Sequence, residues 1–313
     1  MKILFAGTPE FAVAPLAALA ETGEVIAVVT QEDKPQGRKR MLTPSPVKSF
    51  ALSRGIPVFQ PKRIGNETET LKKYGADIMI TCAYGQILTQ EVLDCFPLGV
   101  WNIHAGLLPA YRGASPVQSC ILGGEKETGV CVMKTALALD AGDILLCEKT
   151  EIGENETAGE LASRLSALSA SLILRAVTLL KQGGYTLKKQ SEEGVRIYRK
   201  ITREQAKIDF SVPAKAANEK IRAMNPDPVA FAYLNGAAVN FYRAEIIEEG
   251  ALTEEEKAAK AGEILSDKPK TGLIIRCGKG ALKILSLQPA GGKIMTGTDF
   301  LNGGKGRKGE AFA

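Results

Sequence analysis

Residues 100–109 read VWNIHAGLLP, a run of strand-forming side chains that gives way to glycine and proline. Within this run, His104 is the only histidine of the 313-residue chain. Side chains two positions apart on a strand point to the same face, so Asn102 and His104 present a carboxamide and an imidazole side by side. An amide donor beside an imidazole is typical of acyl-transfer sites. The alternative, a histidine that merely ends a strand, stays open on this stretch alone.

Outward from this strand, short apolar runs alternate with amphipathic segments through the first half of the chain. The strand-like runs cover residues 2–6, 25–30, 76–82, 99–104, 129–135 and 144–149. The helix-like segments lie near residues 10–22, 44–54, 66–74, 89–95 and 114–122. Such alternation predicts an α/β, Rossmann-like domain with a mostly parallel sheet and helices on both of its faces.

The turn after the first strand argues against a dinucleotide cofactor. It reads GTPEF over residues 7–11 and has one glycine where a dinucleotide-binding fold carries G-x-G-x-x-G. We therefore expect neither a nicotinamide nor a flavin. The six cysteines are scattered singly without a C-x-x-C pair, and one histidine is available to assist them. We interpret all six as reduced core residues and expect no metal.

Composition places the chain among soluble globular proteins. Hydrophobic residues make up 45% of the chain and charged residues 24%, which is ordinary for that class. The N-terminus enters a strand without a signal-peptide pattern, and no apolar run reaches the roughly 18 residues needed to span a bilayer. We therefore expect a cytoplasmic protein without a membrane partner.

A long helix and a basic segment follow the α/β half. Residues 157–182 predict one helix, with Thr157 as its cap and Glu160 three positions further on. Residues 181–207 carry eight Lys/Arg against three Asp/Glu, and this net charge of +5 equals that of the whole chain. The segment is interpreted as a basic linker that can supply a phosphate-binding surface, although a solvated linker is the alternative.

The last third of the chain has the pattern of a β-rich domain. Two alternating runs flank Asn235 and Gly236, which predicts a hairpin, and further strands are expected at residues 272–277 and 281–287. This predicts a small OB-like β-barrel of the kind that binds oligonucleotides. The expected domains are 1–180 for catalysis, 181–207 for the basic linker and 208–313 for the barrel. The glycine-rich tail at residues 303–309 has the composition of a disordered end.

A long polar loop at residues 31–44 separates the second strand from its helix. Lys34, Arg38, Lys39 and Arg40 could contact a phosphate backbone there. Because Pro35 and Gly37 oppose regular structure, the loop is expected to order only on binding. A mobile basic insertion without function is the alternative.

A second polar loop follows the strand at residues 129–135. Asp140 lies in it, immediately before a tight turn that Gly142 permits. Loops at strand ends can converge in an open α/β sheet, so Asp140 could orient the imidazole of His104. An aspartate beside a glycine is also a common turn residue, and both interpretations stay open on the spacing alone.

Several longer motifs give the chain a recognisable resemblance. NIHAGLLPAYRGASP at residues 102–116 and TGVCVMKTALALDAGD at residues 128–143 resemble the signature of the 10-formyltetrahydrofolate-dependent formyltransferases. Within that family, four other motifs are similar to those of members that formylate methionyl-initiator tRNA. These motifs are FAGTPEFA (5–12), TPSPVK (43–48), IYRKITREQAKIDF (197–210) and LSLQPAGGK (285–293).

The resemblance implies a reaction and a set of site residues. The α-amine of methionyl-initiator tRNA would attack the formyl carbon of the co-substrate 10-formyltetrahydrofolate, without a metal and in a monomer. Asn102 and His104 would stabilise the developing oxyanion, and Asp140 would position His104 and relay the amine proton. The folate site would be lined by Gly106, Leu107, Leu108 and Pro109.

The chain departs from the family pattern at four positions. Gly106 stands where serine is common, and Ala136 and Ala138 stand where an acidic residue and a glycine are common. Asp227 lies between two prolines where an aromatic residue is usual. Two other function classes also remain at this stage: a formyltransferase for a small amine, which would not need the basic loop, linker or barrel, and a non-catalytic RNA-binding protein, which would need only those three.

Overall fold

A computed structural model describes residues 1–37 and 40–313 of the chain. The described residues form two compact units. The first consists of residues 1–116, 127–151 and 162–198, and the second of residues 117–126, 152–161 and 199–313.

The first unit is built on a seven-stranded sheet. The strands of this unit are β1 (Ile3–Gly7), β2 (Val25–Val29), β3 (Lys34–Gln36), β4 (Met41–Thr43), β5 (Val58–Phe59), β6 (Ile78–Cys82), β7 (Val100–His104), β8 (Arg112–Gly113), β9 (Glu127–Lys134), β10 (Ile144–Glu151) and β11 (Ile197–Tyr198). The order in the sheet is β10-β9-β7-β6-β1-β2-β5. The five strands from β7 to β5 run parallel, and β9 pairs antiparallel with both of its neighbours, β7 and β10. The predicted mostly parallel sheet is confirmed.

The helices occupy the segments predicted for them. They are α1 (Val13–Glu21), α2 (Pro46–Ser53), α3 (Thr68–Lys73), α4 (Gln90–Leu93), α5 (Pro116–Leu122) and α6 (Ala158–Gln182). The predicted cap of α6 is present, because the Thr157 N–H donates to Glu160 Oε2 at 2.9 Å and the Glu160 N–H donates to Thr157 Oγ1 at 3.3 Å. These bonds close the first turn of the helix.

Helix α6 has the length and apolar composition of a membrane span. Its side chains Leu165, Leu172 and Ile173 are nevertheless fully buried within the protein. A core helix of a globular protein can have the same length and apolar composition as a membrane span, and the burial of these side chains is typical of a core helix.

The second unit is built on a curled antiparallel sheet. Its elements are α7 (Ala214–Ala223), β12 (Ala230–Leu234), β13 (Ala237–Ile247), α8 (Glu254–Ala258), β14 (Ile264–Ser266), β15 (Leu273–Arg276), β16 (Ala281–Pro289), β17 (Met295–Thr296) and α9 (Gly297–Asn302). The sheet order is β12-β13-β16-β15-β14, with β17 paired to β16. The hairpin predicted across Asn235 and Gly236 is confirmed, with φ values of 50° and 79° at these residues.

The last residues of the chain join the two edges of this sheet. Phe312 forms a bridge with Leu234 at the end of β12, and Ala311 forms one with Glu263 just before β14. Phe312 itself is buried in the core of the unit. The prediction of a disordered tail is wrong, since the Gly309 N–H also donates to the carbonyl of Ile264 at 3.0 Å. The tail closes the curled sheet instead of leaving it.

The polar loop after β2 contains regular structure. Strands β3 and β4 pair antiparallel, with Lys34 opposite Thr43. The prediction that Pro35 and Gly37 prevent regular structure is therefore wrong for these short strands. The paired edge of a two-stranded hairpin tolerates a proline, and Gly37, with φ 68°, supplies the left-handed turn.

Two cysteines depart from the prediction that all are reduced. Cys131 on β9 and Cys147 on β10 are directly opposite each other and form a disulfide. Their Cα atoms are 4.1 Å apart, because residues facing each other across an antiparallel pair lie close enough for this bond. Cys82, Cys95 and Cys277 are free thiols. Burial raises the pKa of the Cys277 thiol to about 12, so this cysteine behaves as an inert core residue.

Candidate active site

The carboxamide of Asn102 is held in one orientation by a neighbouring strand. Thr81 on β6 lies opposite Asn102 on β7 in the parallel register. The Thr81 hydroxyl donates to Asn102 Oδ1 at 2.8 Å. Because the oxygen end of the amide is engaged in this way, its NH₂ end is the one presented for donation to a ligand.

The imidazole of His104 is buried at the end of β7. Its Nε2 lies 2.5 Å from the carbonyl oxygen of Tyr111. A carbonyl can only accept a hydrogen bond, so Nε2 carries the proton, and in the neutral ring the lone pair is on Nδ1. This Nδ1 faces Asp140, whose Oδ2 is 3.7 Å away. That distance is too long for a direct hydrogen bond, although a water molecule could bridge the two groups.

The loop between β9 and β10 brings Asp140 to this position. Asp140 adopts a left-handed backbone conformation with φ 48°. Its Oδ2 accepts a hydrogen bond from the Gly113 N–H at 2.8 Å. A Cβ at Gly142 would lie 1.6 Å from the carbonyl oxygen of Lys134, so only glycine fits in this turn. The structure thus brings His104 and Asp140 together, as the two converging loops predicted.

Gln190 is part of this site and was missed by the sequence analysis. It lies in the segment interpreted as a basic linker, yet it is buried within the first unit. Its Nε2 donates to the carbonyls of Asp140 at 2.8 Å and Gly142 at 2.7 Å. The only local signal is an uncharged side chain among charged neighbours, which does not distinguish it from other linker residues.

The residues predicted to line the folate site follow β7 directly. A Cβ at Gly106 would lie 3.3 Å from His104 Nε2 and 3.1 Å from the Cβ of Tyr111, so the glycine gives the imidazole room. The Leu107 side chain packs over Gly129 of β9. Leu108 and Pro109 are half-buried in the turn that follows. The segment therefore lies against the imidazole.

The residues predicted to contact tRNA lie in and beside the β3–β4 hairpin. Lys34 is exposed, and its Nζ donates to Gln31 Oε1 at 2.6 Å. Arg40 is exposed in the turn of the hairpin, with φ 48°. Arg38 and Lys39 lie outside the described residues.

The base of the hairpin is fixed to helix α2. Lys48 Nζ donates to Asp33 Oδ2 at 2.7 Å, and Gln60 Nε2 donates to Asp33 Oδ1 at 2.9 Å. The hydrogen bond from Lys48 is the main cause that lowers the pKa of the Asp33 carboxyl. The start of the hairpin is therefore anchored to α2.

A cavity of about 580 Å³ lies beside this anchor at the carboxyl ends of β2 and β6. Gln31, Lys34, Lys62, Arg63 and Gln86 contribute polar side chains to its wall. Glu32 adds a carboxylate to this lining, and none of the trio formed by Asn102, His104 and Asp140 belongs to it. Among residues 1–37 and 40–313, no three His, Cys, Asp or Glu side chains cluster as metal ligands would.

Comparison with known proteins adds to this geometry. Residues 1–177 match the family described as formyl transferase, and residues 200–305 match the formyl transferase C-terminal domain. The chain is 45% identical over 305 residues to the methionyl-tRNA formyltransferase of Xanthomonas euvesicatoria, covering 96% of this chain and 97% of the relative. It is 43% identical over 309 residues to the methionyl-tRNA formyltransferase of Neisseria meningitidis serogroup C, covering 97% of both chains.

A solved structure shares the fold at lower identity. HypX from Aquifex aeolicus, in complex with tetrahydrofolic acid, superposes with a TM-score of 0.64 and 18% identity. The match covers 98% of this chain and 48% of HypX, so this chain spans about half the length of that protein.

Proposed function

Because the chain belongs to the formyl transferase family, we propose that it transfers the formyl group of 10-formyltetrahydrofolate to the α-amine of methionyl-initiator tRNA for translation initiation. The observation that carries this proposal is the 45% identity to a methionyl-tRNA formyltransferase over 96% of the chain. The match includes the second unit as well as the first, since residues 200–305 match the formyl transferase C-terminal domain.

Within this reaction, Asn102 donates from its NH₂ end to the formyl oxygen as negative charge develops there. The hydrogen bond from Thr81 supports this role, because it fixes the amide in the donating orientation. His104 contributes a second donor, and its Nε2–H must leave the Tyr111 carbonyl to reach the substrate. The Asn102 donor, which the Thr81 hydroxyl already orients, needs little reorganisation when the charge forms.

Asp140 holds His104 in place and accepts a proton from the attacking amine. The carboxylate stabilises the protonated imidazole across the 3.7 Å gap and can relay the amine proton through a water molecule. The amine nitrogen bonds to the formyl carbon of the folate, and the bond from that carbon to N10 of the folate breaks. Tetrahydrofolate leaves with the proton that the amine gives up, so the side chains need only hold charge and move protons. Asp140 is well suited to this task because the Gly113 N–H fixes one of its oxygens.

We assign the remaining predicted residues to substrate binding. Gly106, Leu107, Leu108 and Pro109 would hold the folate, since this segment lies against His104. Lys34 and Arg40, with Arg38 and Lys39, would contact tRNA phosphates. The proposed division into residues 1–180, 181–207 and 208–313 keeps the chemistry in the first part, with RNA contacts in its basic hairpin and in the other two parts, in a monomeric cytoplasmic enzyme.

The test is formylation by the purified protein. Methionyl-initiator tRNA, an aminoacylated elongator tRNA and a small amine are each offered with 10-formyltetrahydrofolate, and formylated product is measured. We expect turnover with the initiator substrate alone. Turnover with the small amine, or tRNA binding without turnover, would favour one of the other two function classes. Asn102→Ala should lower kcat by about 10²- to 10³-fold.

A further inference from the structure

Gln190 is buried in a segment that is otherwise open to solvent. Residues 181–186, 188, 189 and 191–194 are exposed, whereas Gln190 is 8% exposed. A glutamine loses side-chain freedom when it is buried, and its polar atoms must find partners. The burial of this single side chain therefore requires an explanation.

All the polar groups of the Gln190 side chain are engaged. Its Oε1 accepts a hydrogen bond from Arg112 Nε at 3.1 Å, and its Nε2 donates to the carbonyls of Asp140 and Gly142. The carbonyls can only accept and the guanidinium can only donate, so one orientation of the amide satisfies all three partners. The side chain thus clamps the turn on both sides of Ala141.

The turn is also held by the Gly113 N–H, which donates to Asp140 Oδ2 at 2.8 Å, and by the Ala141 N–H, which donates to the Ala138 carbonyl at 3.2 Å. Neither bond fixes the carbonyls of Asp140 and Gly142. Leu137 and Leu139, the large apolar side chains near Asp140 in this loop, are 63% and 58% exposed, so apolar packing fixes it weakly. The left-handed backbone at Asp140 also favours relaxation to another conformation. Two buried hydrogen bonds from Gln190 oppose that relaxation.

We propose that Gln190 is a positioning residue for formyl transfer, which acts by keeping the Asp140 carboxylate against His104. The inference rests on the proposed function, because it assumes that Asp140 acts on His104 during catalysis. The basic segment would then have a part in the chemistry of the first unit, separate from any contact with RNA.

The predicted effect is on turnover and not on binding. If the clamp is lost, the Asp140 carboxylate moves while the folate-binding segment and the basic hairpin stay in place. Gln190→Met keeps the length of the side chain without adding charge, and it removes all three hydrogen bonds. We expect its kcat to fall about 10- to 100-fold, with KM for both substrates nearly unchanged. Gln182→Met, an exposed glutamine at the end of α6, is the matched control and should retain wild-type kinetics.

A double-mutant cycle separates positioning from a merely structural role. Single-turnover rates are measured for the wild type, Gln190→Met, Asp140→Ala and the double variant. If Gln190 acts through Asp140, adding Gln190→Met to the Asp140→Ala variant should lower the rate little further. Equal losses in both backgrounds would overturn the inference, because a purely structural defect does not depend on the Asp140 carboxylate.

Failures of the two proposals are distinguishable. A wild-type protein that does not formylate methionyl-tRNA, or a fully active Asp140→Ala variant, would remove the proposed function and this inference with it. An active wild type, an impaired Asp140→Ala and an unimpaired Gln190→Met would remove the inference alone. Should Gln190→Met fold poorly, Gln190→Glu provides the same test. It keeps an acceptor for Arg112, but its carboxylate cannot donate to the two carbonyls, and wild-type kcat in this variant would overturn the inference.

Discussion

The hydrogen bond from Thr81 to Asn102 leads to a quantitative prediction. Thr81→Val removes the hydroxyl and keeps a side chain of the same shape in a buried position of β6. The Asn102 amide is then free to turn away from the donating orientation that the 2.8 Å bond enforces. A net hydrogen bond of about 0.5–1.5 kcal/mol corresponds to a loss of about 2- to 12-fold in kcat.

The assay is steady-state formylation of methionyl-initiator tRNA, with both KM values expected to stay close to wild type. Thr128→Val is the matched control, because Thr128 is a buried threonine on β9 whose hydroxyl has no hydrogen-bond partner among residues 1–37 and 40–313. This control should keep wild-type kcat. An unchanged kcat in Thr81→Val would refute the idea that Thr81 orients the amide. A loss as large as that of Asn102→Ala would show that Thr81 does more than orient it.

Three other predictions follow from the structure. Gly142→Ala should abolish most activity while tRNA binding persists. The added Cβ would lie 1.6 Å from the carbonyl oxygen of Lys134, so the Asp140 turn must open. Measuring kcat and the Kd for tRNA on the same preparation checks this. Replacing Lys34 and Arg40 together by alanine should raise KM for tRNA and leave KM for folate unchanged. The difference from wild type should shrink as salt rises, and a difference that salt does not alter would contradict phosphate contacts. Hydrogen bonds from Thr157, first that of its backbone, lower the pKa of Glu160 from 4.5 to about 2. A carboxyl group whose pKa is lower in the folded than in the unfolded protein stabilises the fold at pH values above its unfolded-state pKa. This contribution is lost as the pH falls through its folded-state pKa. The stability difference between wild type and Glu160→Gln should therefore be largest above about pH 4.5 and vanish towards pH 2, as thermal unfolding across this range will show.

The sequence predicted the elements that carry a strong local pattern. Strands β1, β2, β6 and β7 are continuous apolar runs, which a buried parallel sheet requires, and all were placed within two residues of their bounds. Helix α6 was recognised from its spacing of leucines and its cap. Strand β5 was missed because two residues at a sheet edge show no periodicity.

The parts of the site that could not be predicted depend on contacts between distant residues. Thr81 is 21 positions from Asn102, and Gln190 is 50 positions from Asp140. Neither side chain differs in type from many surface residues, so only the folded register shows its partner. The disulfide between Cys131 and Cys147 was missed for the same reason, since it depends on how β9 pairs with β10.

The closure of the curled sheet by residues 311–313 has a consequence for synthesis on the ribosome. Tyr233 and Ala313 exchange backbone hydrogen bonds at 2.8 Å, so the edge of β12 is covered only after residue 313 has been added. Until then, the nascent chain exposes two strand edges that could pair with other chains. A chain that stopped before residue 311 would leave those edges open permanently, and the truncated product would be prone to aggregation although Asn102, His104 and Asp140 were all present.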